Sequence, residues 1–195
     1  MVNYPNKKKN NHYTSMIEGK HNTAHRGMNL EEDINLTNEY YLSHDIAVIH
    51  KKPTPIQIVK VSYPERSSAK IVEAYFRTPS TTDYNGIYKG KYIDFEAKET
   101  KTLSFPFTNI SLHQINHLDK VVHHGGIAFL IIAFTKVNEV YLLDASFMVE
   151  AYRKNDRKSL RYETIKEKGH LIRQGFLPSL HYLEIIDQYY CEVFK

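Results

Sequence analysis

A single-domain α/β fold is the architecture this sequence predicts, and three observations carry that reading. Stretches with helical spacing alternate with short apolar strands along the chain. Ile127 to Phe134 is almost continuously apolar, as expected of a central strand covered on both faces. The length of 195 residues suits one domain with a sizeable core.

Taken in order, the first element follows a polar segment. Leu30, Ile34, Thr37 and Tyr41 recur at helical spacing, with Asn29 and Glu32 placed as a cap, which predicts a helix over 30–43. Ile46 to Ile49 reads as a short strand, after which Pro53 and Pro55 interrupt. Ile56 to Tyr63 and Ala69 to Arg77 read as two strands separated by the polar turn Pro64-Glu65-Arg66-Ser67-Ser68. This excursion is too apolar for a disordered loop, so a projecting two-stranded arm with Arg66 near its tip is expected. A hairpin follows, with Asn85-Gly86 and Lys89-Gly90 as its turn signals, then Pro106. Residues 111–124 form the next expected helix, with Leu112, Ile115, Leu118 and Val122 on one side. Gln114, His117 and His124 lie elsewhere on its surface, and Gly125-Gly126 ends it. After the strand at 127–134, Val140 to Leu143 is another. Ser146 to Lys154 and Tyr182 to Phe194 read as helices, and the polar, basic stretch 155–170 holds a short helix around Thr164.

The chemistry concentrates between residues 80 and 101. Asp83 stands before the hairpin, and Glu96 and Lys98 follow on an alternating strand. Side chains two apart share a face, so Glu96 and Lys98 project together with Asp94 beside them, while Ile93, Phe95 and Ala97 face the core. Folding back at the turns lets Asp83 approach Glu96. Two carboxylates can hold magnesium through hard oxygen ligands, and a neighbouring lysine can orient a water and offset charge developing on a phosphate. That is the layout of a metal-dependent nuclease. An outer strand face of alternating charge has the same pattern. His113 and His117 have zinc-compatible spacing but no third ligand. No glycine-rich phosphate loop or nucleophile elbow is present.

Charge is unevenly distributed. Residues 1–27 carry Lys7, Lys8, Lys9, Lys20 and Arg26 against Glu18, which accounts for the whole formal net charge of +4. With few apolar residues, this segment reads as a flexible basic arm suited to phosphate backbones or to solubility alone. The single cysteine, Cys191, rules out an internal disulfide and fits a reducing compartment. The polar N-terminus does not resemble a secretory signal, and the longest apolar run is too short to span a membrane, so a cytoplasmic location is expected.

Several motifs occur in one order: His25-Arg26-Gly27-Met28, Ile49-His50-Lys51-Lys52-Pro53-Thr54-Pro55, Glu73-Ala74-Tyr75-Phe76-Arg77, Ser80-Thr81-Thr82-Asp83-Tyr84, Tyr92-Ile93-Asp94-Phe95-Glu96-Ala97-Lys98-Glu99-Thr100-Lys101 and His113-Gln114. Together they resemble the RecU-type Holliday junction resolvases of low-GC Gram-positive bacteria, from about residue 25 to the C-terminus. The resemblance implies a restriction-endonuclease-like (PD-(D/E)XK) mixed sheet flanked by helices, with the excursion at about 53–78 as a projecting stalk inserted into a nuclease domain spanning 28–195. It implies a homodimer that cuts four-way DNA junctions with Mg²⁺, for which Mn²⁺ is an expected substitute, and a family-level contact with the RecA recombinase. By position, Thr81, Asp83, Glu96 and Gln114 are the metal-site residues, with Thr81 and Gln114 supplying neutral oxygens or supporting the ligands. Asp83, Glu96 and Lys98 are the catalytic set. Arg26, Lys51, Lys52, Arg66, Tyr75 and Phe76 are the expected DNA contacts. The alternatives are a nuclease acting on other DNA structures, which the stalk speaks against, and a non-catalytic DNA-binding or recombinase-regulating protein, which the intact acidic pair and lysine speak against.

Overall fold

The structure, a computed structural model, describes residues 29–65, 68–76, 81–154 and 156–190. The expected arm at 1–27, with Arg26, lies outside the described residues, as do Arg66 and the end of the last expected helix. The described chain forms two units, one built from Asn29–Thr54 and Pro79–Lys195 and the other containing Pro55–Thr78.

The larger unit is a six-stranded mixed sheet. Its strands are β1 (Val48–Lys51), β4 (Tyr84–Tyr88), β5 (Lys91–Thr100), β7 (Ile127–Phe134), β8 (Glu139–Asp144) and β10 (His170–Leu171), hydrogen-bonded in that order. Only the β5–β7 pair is parallel. A parallel neighbour needs a crossover, and α2 (Leu112–His123) supplies it. All eight residues of β7 are buried, as the unbroken apolar run predicts. Its side chains alternate between two cores. On one face Ile127, Phe129 and Ile131 pack with Ile93 and Phe95 of β5, with α1 (Leu30–Ser43) and with α5 (Tyr182–Tyr189). On the other, Ala128, Leu130 and Ile132 pack with α2, α3 (Ala145–Lys154) and α4 (Tyr162–Lys168). Phe95 stacks on Phe129 at 4.8 Å and on Tyr84 at 4.9 Å, a ladder of three rings across three strands. A short two-stranded ribbon, β6 (Ser104–Pro106) with β9 (Ser159–Arg161), lies beside the second core.

Two expectations change. The first strand begins at Val48, not Ile46, because Ile46 and Ala47 donate their N–H groups to the Tyr41 carbonyl and close the end of α1. Asn85-Gly86 is not a turn. It lies inside β4, paired with Asp94 and Ile93, and the reversal is made by Lys89 and Gly90, both in the left-handed region. Gly86 is required for a different reason: a Cβ there would stand 2.0 Å from the Val48 carbonyl oxygen and 2.5 Å from the Ile49 Cα.

The smaller unit is an antiparallel ribbon of β2 (Ile56–Glu65) and β3 (Ser68–Phe76), paired from Ile56↔Phe76 to Glu65↔Ser68 with register shifts on either side of Lys60 and between Ser62 and Glu65. Every described side chain of β3 is exposed, including Ile71, Val72, Tyr75 and Phe76. Among the described residues, no helix is long and apolar enough to cross a membrane.

Candidate active site

The two acids meet where β4 and β5 part. β4 begins with Tyr84, paired with Phe95, whereas β5 continues to Thr100. The backbone of β5 beyond Phe95 is therefore not served by β4, and the Asp83 carboxylate accepts the Ala97 N–H at 3.2 Å. This contact brings Asp83 alongside Glu96, whose side chain leaves β5 on the face covered by α2.

That face is not an outer face of alternating charge. Asp94 and Glu96 are fully buried, set beneath α2 where β5 could otherwise have extended the second apolar core. Each carboxylate therefore needs partners, and the two find different ones. Glu96 Oε1 accepts the Gln114 side-chain amide at 2.7 Å and forms an ion pair with Lys98, while its Oε2 has no partner among the described residues. Burial, and then the neighbouring charge of Asp83, push the Glu96 carboxyl up to about 7, with Lys98 pulling the other way. Asp94 is saturated: Oδ2 receives Lys52 at 2.7 Å, the Tyr92 hydroxyl at 2.7 Å and His117 Nε2 at 3.1 Å, and Oδ1 receives the Thr82 hydroxyl.

Gln114 turns its side-chain N–H₂, not its oxygen, toward Glu96. It is the third residue of α2, and its Oε1 accepts both the backbone N–H and the hydroxyl of Ser111, each at 3.0 Å, as half of a capping box. Only its N–H₂ faces the site, so it holds Glu96. His117 is a partner of Asp94, not a plain surface residue. Lys52, expected on DNA, has its side chain only 14% exposed and is committed to Asp94, Thr81 and Thr82. Lys51 is exposed and paired with Glu31. Thr81 is exposed, its hydroxyl 3.2 Å from the Lys52 ammonium. Tyr75 and Phe76 lie on β3 of the other unit. The cluster around Asp94 leaves little trace in the sequence. Its one signal is that a carboxylate two residues before Glu96 shares the same face and must be neutralised by a cation from elsewhere.

The residues fit a divalent cation. A buried carboxylate with one oxygen unpartnered, raised by burial and by a second carboxylate, is a position that a cation relieves. No three His, Cys, Asp or Glu side chains converge among the described residues. Two carboxylates side by side suit a hard divalent cation held through oxygens. Beside Asp83 a cleft of about 300 Å³ opens toward the start of α1, lined also by Leu30, Glu31, Tyr84 and Glu99.

Comparison with known proteins identifies relatives over almost the whole chain. The family model RecU, described as Recombination protein U, matches residues 25–188. Proteins named Holliday junction resolvase RecU from Bacillus cytotoxicus and Bacillus thuringiensis are each 53% identical, over 97% of this chain and 98% of theirs. The solved structure of Hjc, a Holliday junction resolvase from Archaeoglobus fulgidus, superposes with a TM-score of 0.41 at 11% identity, covering 72% of this chain and 92% of that one.

Proposed function

The chain belongs to the RecU family, and from that premise we propose that it is a magnesium-dependent, structure-selective endonuclease that cuts four-way DNA junctions during recombination, repair and chromosome segregation. The observation that carries the reading is Glu96: a buried carboxylate with one oxygen unpartnered, facing Asp83 and ion-paired with Lys98.

In this reading the mixed sheet is a restriction-endonuclease-like core, and Asp83 and Glu96 would hold Mg²⁺, with Thr81 at the rim. The bound ion would supply Lewis-acid activation of the phosphate and a more acidic water. Gln114 fixes the rotamer of Glu96 by holding Oε1, which leaves Oε2 as the oxygen that would bind the ion. Asp83 is fixed by the Ala97 N–H. Lys98, about a quarter exposed at 27%, reaches from a buried carboxylate toward solvent. There it can orient the attacking water and offset the charge that builds on the phosphate.

Junction selectivity comes from backbone shape rather than from base edges. The exposed ribbon of β2 and β3 enters the open centre of the junction, and Arg66, which falls between the two strands in sequence, meets phosphates there. Arg26, Lys51, Tyr75 and Phe76 contact DNA, and the arm at 1–27 follows phosphates. Two copies related by a two-fold axis would cut two strands symmetrically, and a contact with the RecA recombinase belongs to the same reading. The test is to incubate the protein with labelled four-way junction and matched linear duplex, with Mg²⁺ or with chelator. Symmetric nicks on the junction alone, lost with chelator and in Asp83→Asn, are expected. Equal cutting of the duplex, or full activity in Asp83→Asn, would overturn the reading.

A further inference from the structure

Thr81, Thr82 and Asp83 precede β4 and lie outside the sheet ladder, yet they must bring one carboxylate to another with ligand precision. Beyond the Ala97 N–H on the Asp83 carboxylate and the Thr82 hydroxyl on Asp94, what ties them together is Lys52. Its backbone N–H donates to the Asp83 carbonyl at 2.7 Å. Its ammonium donates to the hydroxyls of Thr81 and Thr82 and to Asp94. A lysine has three N–H donors, and these three acceptors occupy them. Asp94 in turn is fully engaged by Tyr92, His117 and Thr82. So β5 carries two buried carboxylates two residues apart on one face, with opposite assignments. Glu96 keeps a free oxygen, and Asp94 spends both of its oxygens on an internal clamp.

We propose that Lys52 is a positioning residue of the metal site: anchored on Asp94, it holds the Thr81–Asp83 segment in the geometry that presents Thr81 and Asp83 beside Glu96. The inference rests on the reading of Asp83 and Glu96 as metal-site residues. It assigns Lys52 a role away from DNA, because withdrawing its charge to a phosphate would leave the buried Asp94 carboxylate without its lysine counter-charge, which is costly.

The test compares Lys52→Met, Asp94→Asn and the double variant with the wild-type protein. Mn²⁺ affinity is measured by calorimetry, melting temperature without metal, junction affinity in chelator over a range of salt, and cleavage. Lys52→Met should weaken Mn²⁺ binding by about 10–100-fold, the usual effect of removing a group that orients ligands, and slow cleavage with it. Its junction affinity and salt dependence in chelator should match the wild type. Asp94→Asn in the Lys52→Met background should regain melting temperature, because the uncompensated charge is gone, but not Mn²⁺ affinity, because the ammonium that ties Thr81 and Thr82 to residue 94 is still missing. Recovery of Mn²⁺ affinity together with stability would overturn the proposal, since Lys52 would then be only a counter-charge. So would a shallower salt dependence for Lys52→Met, which marks a phosphate contact. If the wild type binds Mn²⁺ and cuts, and Lys52→Met does both equally well, this inference alone fails. A wild type that binds no Mn²⁺ overturns the site reading and this inference together.

Discussion

In the absence of metal, Glu96 should make the protein less stable as pH rises toward neutrality. Its carboxyl ordinarily titrates at 4.5, and in the folded state it is pushed up to about 7 by burial and by Asp83. Between those values the folded protein keeps a proton that the unfolded chain has released. More protons are bound in the folded state, so unfolding free energy falls with rising pH, by roughly 1.4 kcal/mol per pH unit across the window, or about 3 kcal/mol in all. Below the window both states are protonated, and above it both are charged, so the curve flattens on either side. Urea unfolding in chelator from about pH 4 to pH 8 measures it. Glu96→Gln carries no titrating proton, and the difference between its curve and that of the wild type isolates this one group. The variant should lack the decline and be the more stable protein at the alkaline end by a similar ~3 kcal/mol. Saturating Mg²⁺ should return stability to the wild type there, because the cation binds only the folded site. A wild type and Glu96→Gln with parallel stability curves would refute the reasoning.

Lys98→Ala should lower the rate of junction cutting by about 10²–10³-fold, the range for losing one charge-stabilising group, with junction affinity in Ca²⁺ unchanged by gel shift. Gly86→Ala should destabilise the sheet unit by roughly 1–3 kcal/mol in chemical denaturation, as over-packing does, because the new methyl would overlap the backbone of β1. Deleting residues 1–24 should weaken binding to every DNA form and flatten its dependence on salt, which is read from binding isotherms at several salt concentrations. Replacing residues 60–70 with a short Gly-Ser turn should reduce gel-shift affinity for junctions much more than for linear duplex, and Arg66→Ala should give a milder form of the same loss.

Elements whose signal was local were legible from the residues. α1 starts where the cap at Asn29 places it, with the Asn29 side chain accepting the Glu32 N–H at 2.9 Å, and β7 coincides with its apolar run because both faces are covered. What failed depended on contacts remote in sequence. Asn85-Gly86 has the composition of a turn, but its glycine answers to the approach of β1. β9 and β10 are too short to have a period of their own and exist through their partners β6 and β8. In the site, the pairing of Glu96 with Lys98 follows from strand parity alone. The amide of Gln114 could not be oriented without knowing that Ser111 would claim its oxygen, and Lys52 could not be separated from Lys51 without Asp94. Adjacent residues of one type thus have different fates: one is exposed beside Glu31, the other built into the interior.

The place where the ribbon interrupts the chain has an evolutionary consequence. Lys51 pairs with Tyr84 and Lys52 with the Asp83 carbonyl, so the chain leaves and re-enters the sheet at adjacent, hydrogen-bonded positions. Everything between is a cassette whose ends the core holds together whatever its content. Such a cassette can be lengthened, exchanged between relatives or replaced by a different reader of DNA shape without changing the register of any strand. The splice points are narrow, however. A graft that begins before Lys52 or ends after Thr81 removes part of the clamp on Asp83. Within the family, drift in ribbon length should therefore stop abruptly at these two residues, and chimaeras joined between residues 53 and 80 should keep the recipient's chemistry while taking the donor's preference among branched DNAs.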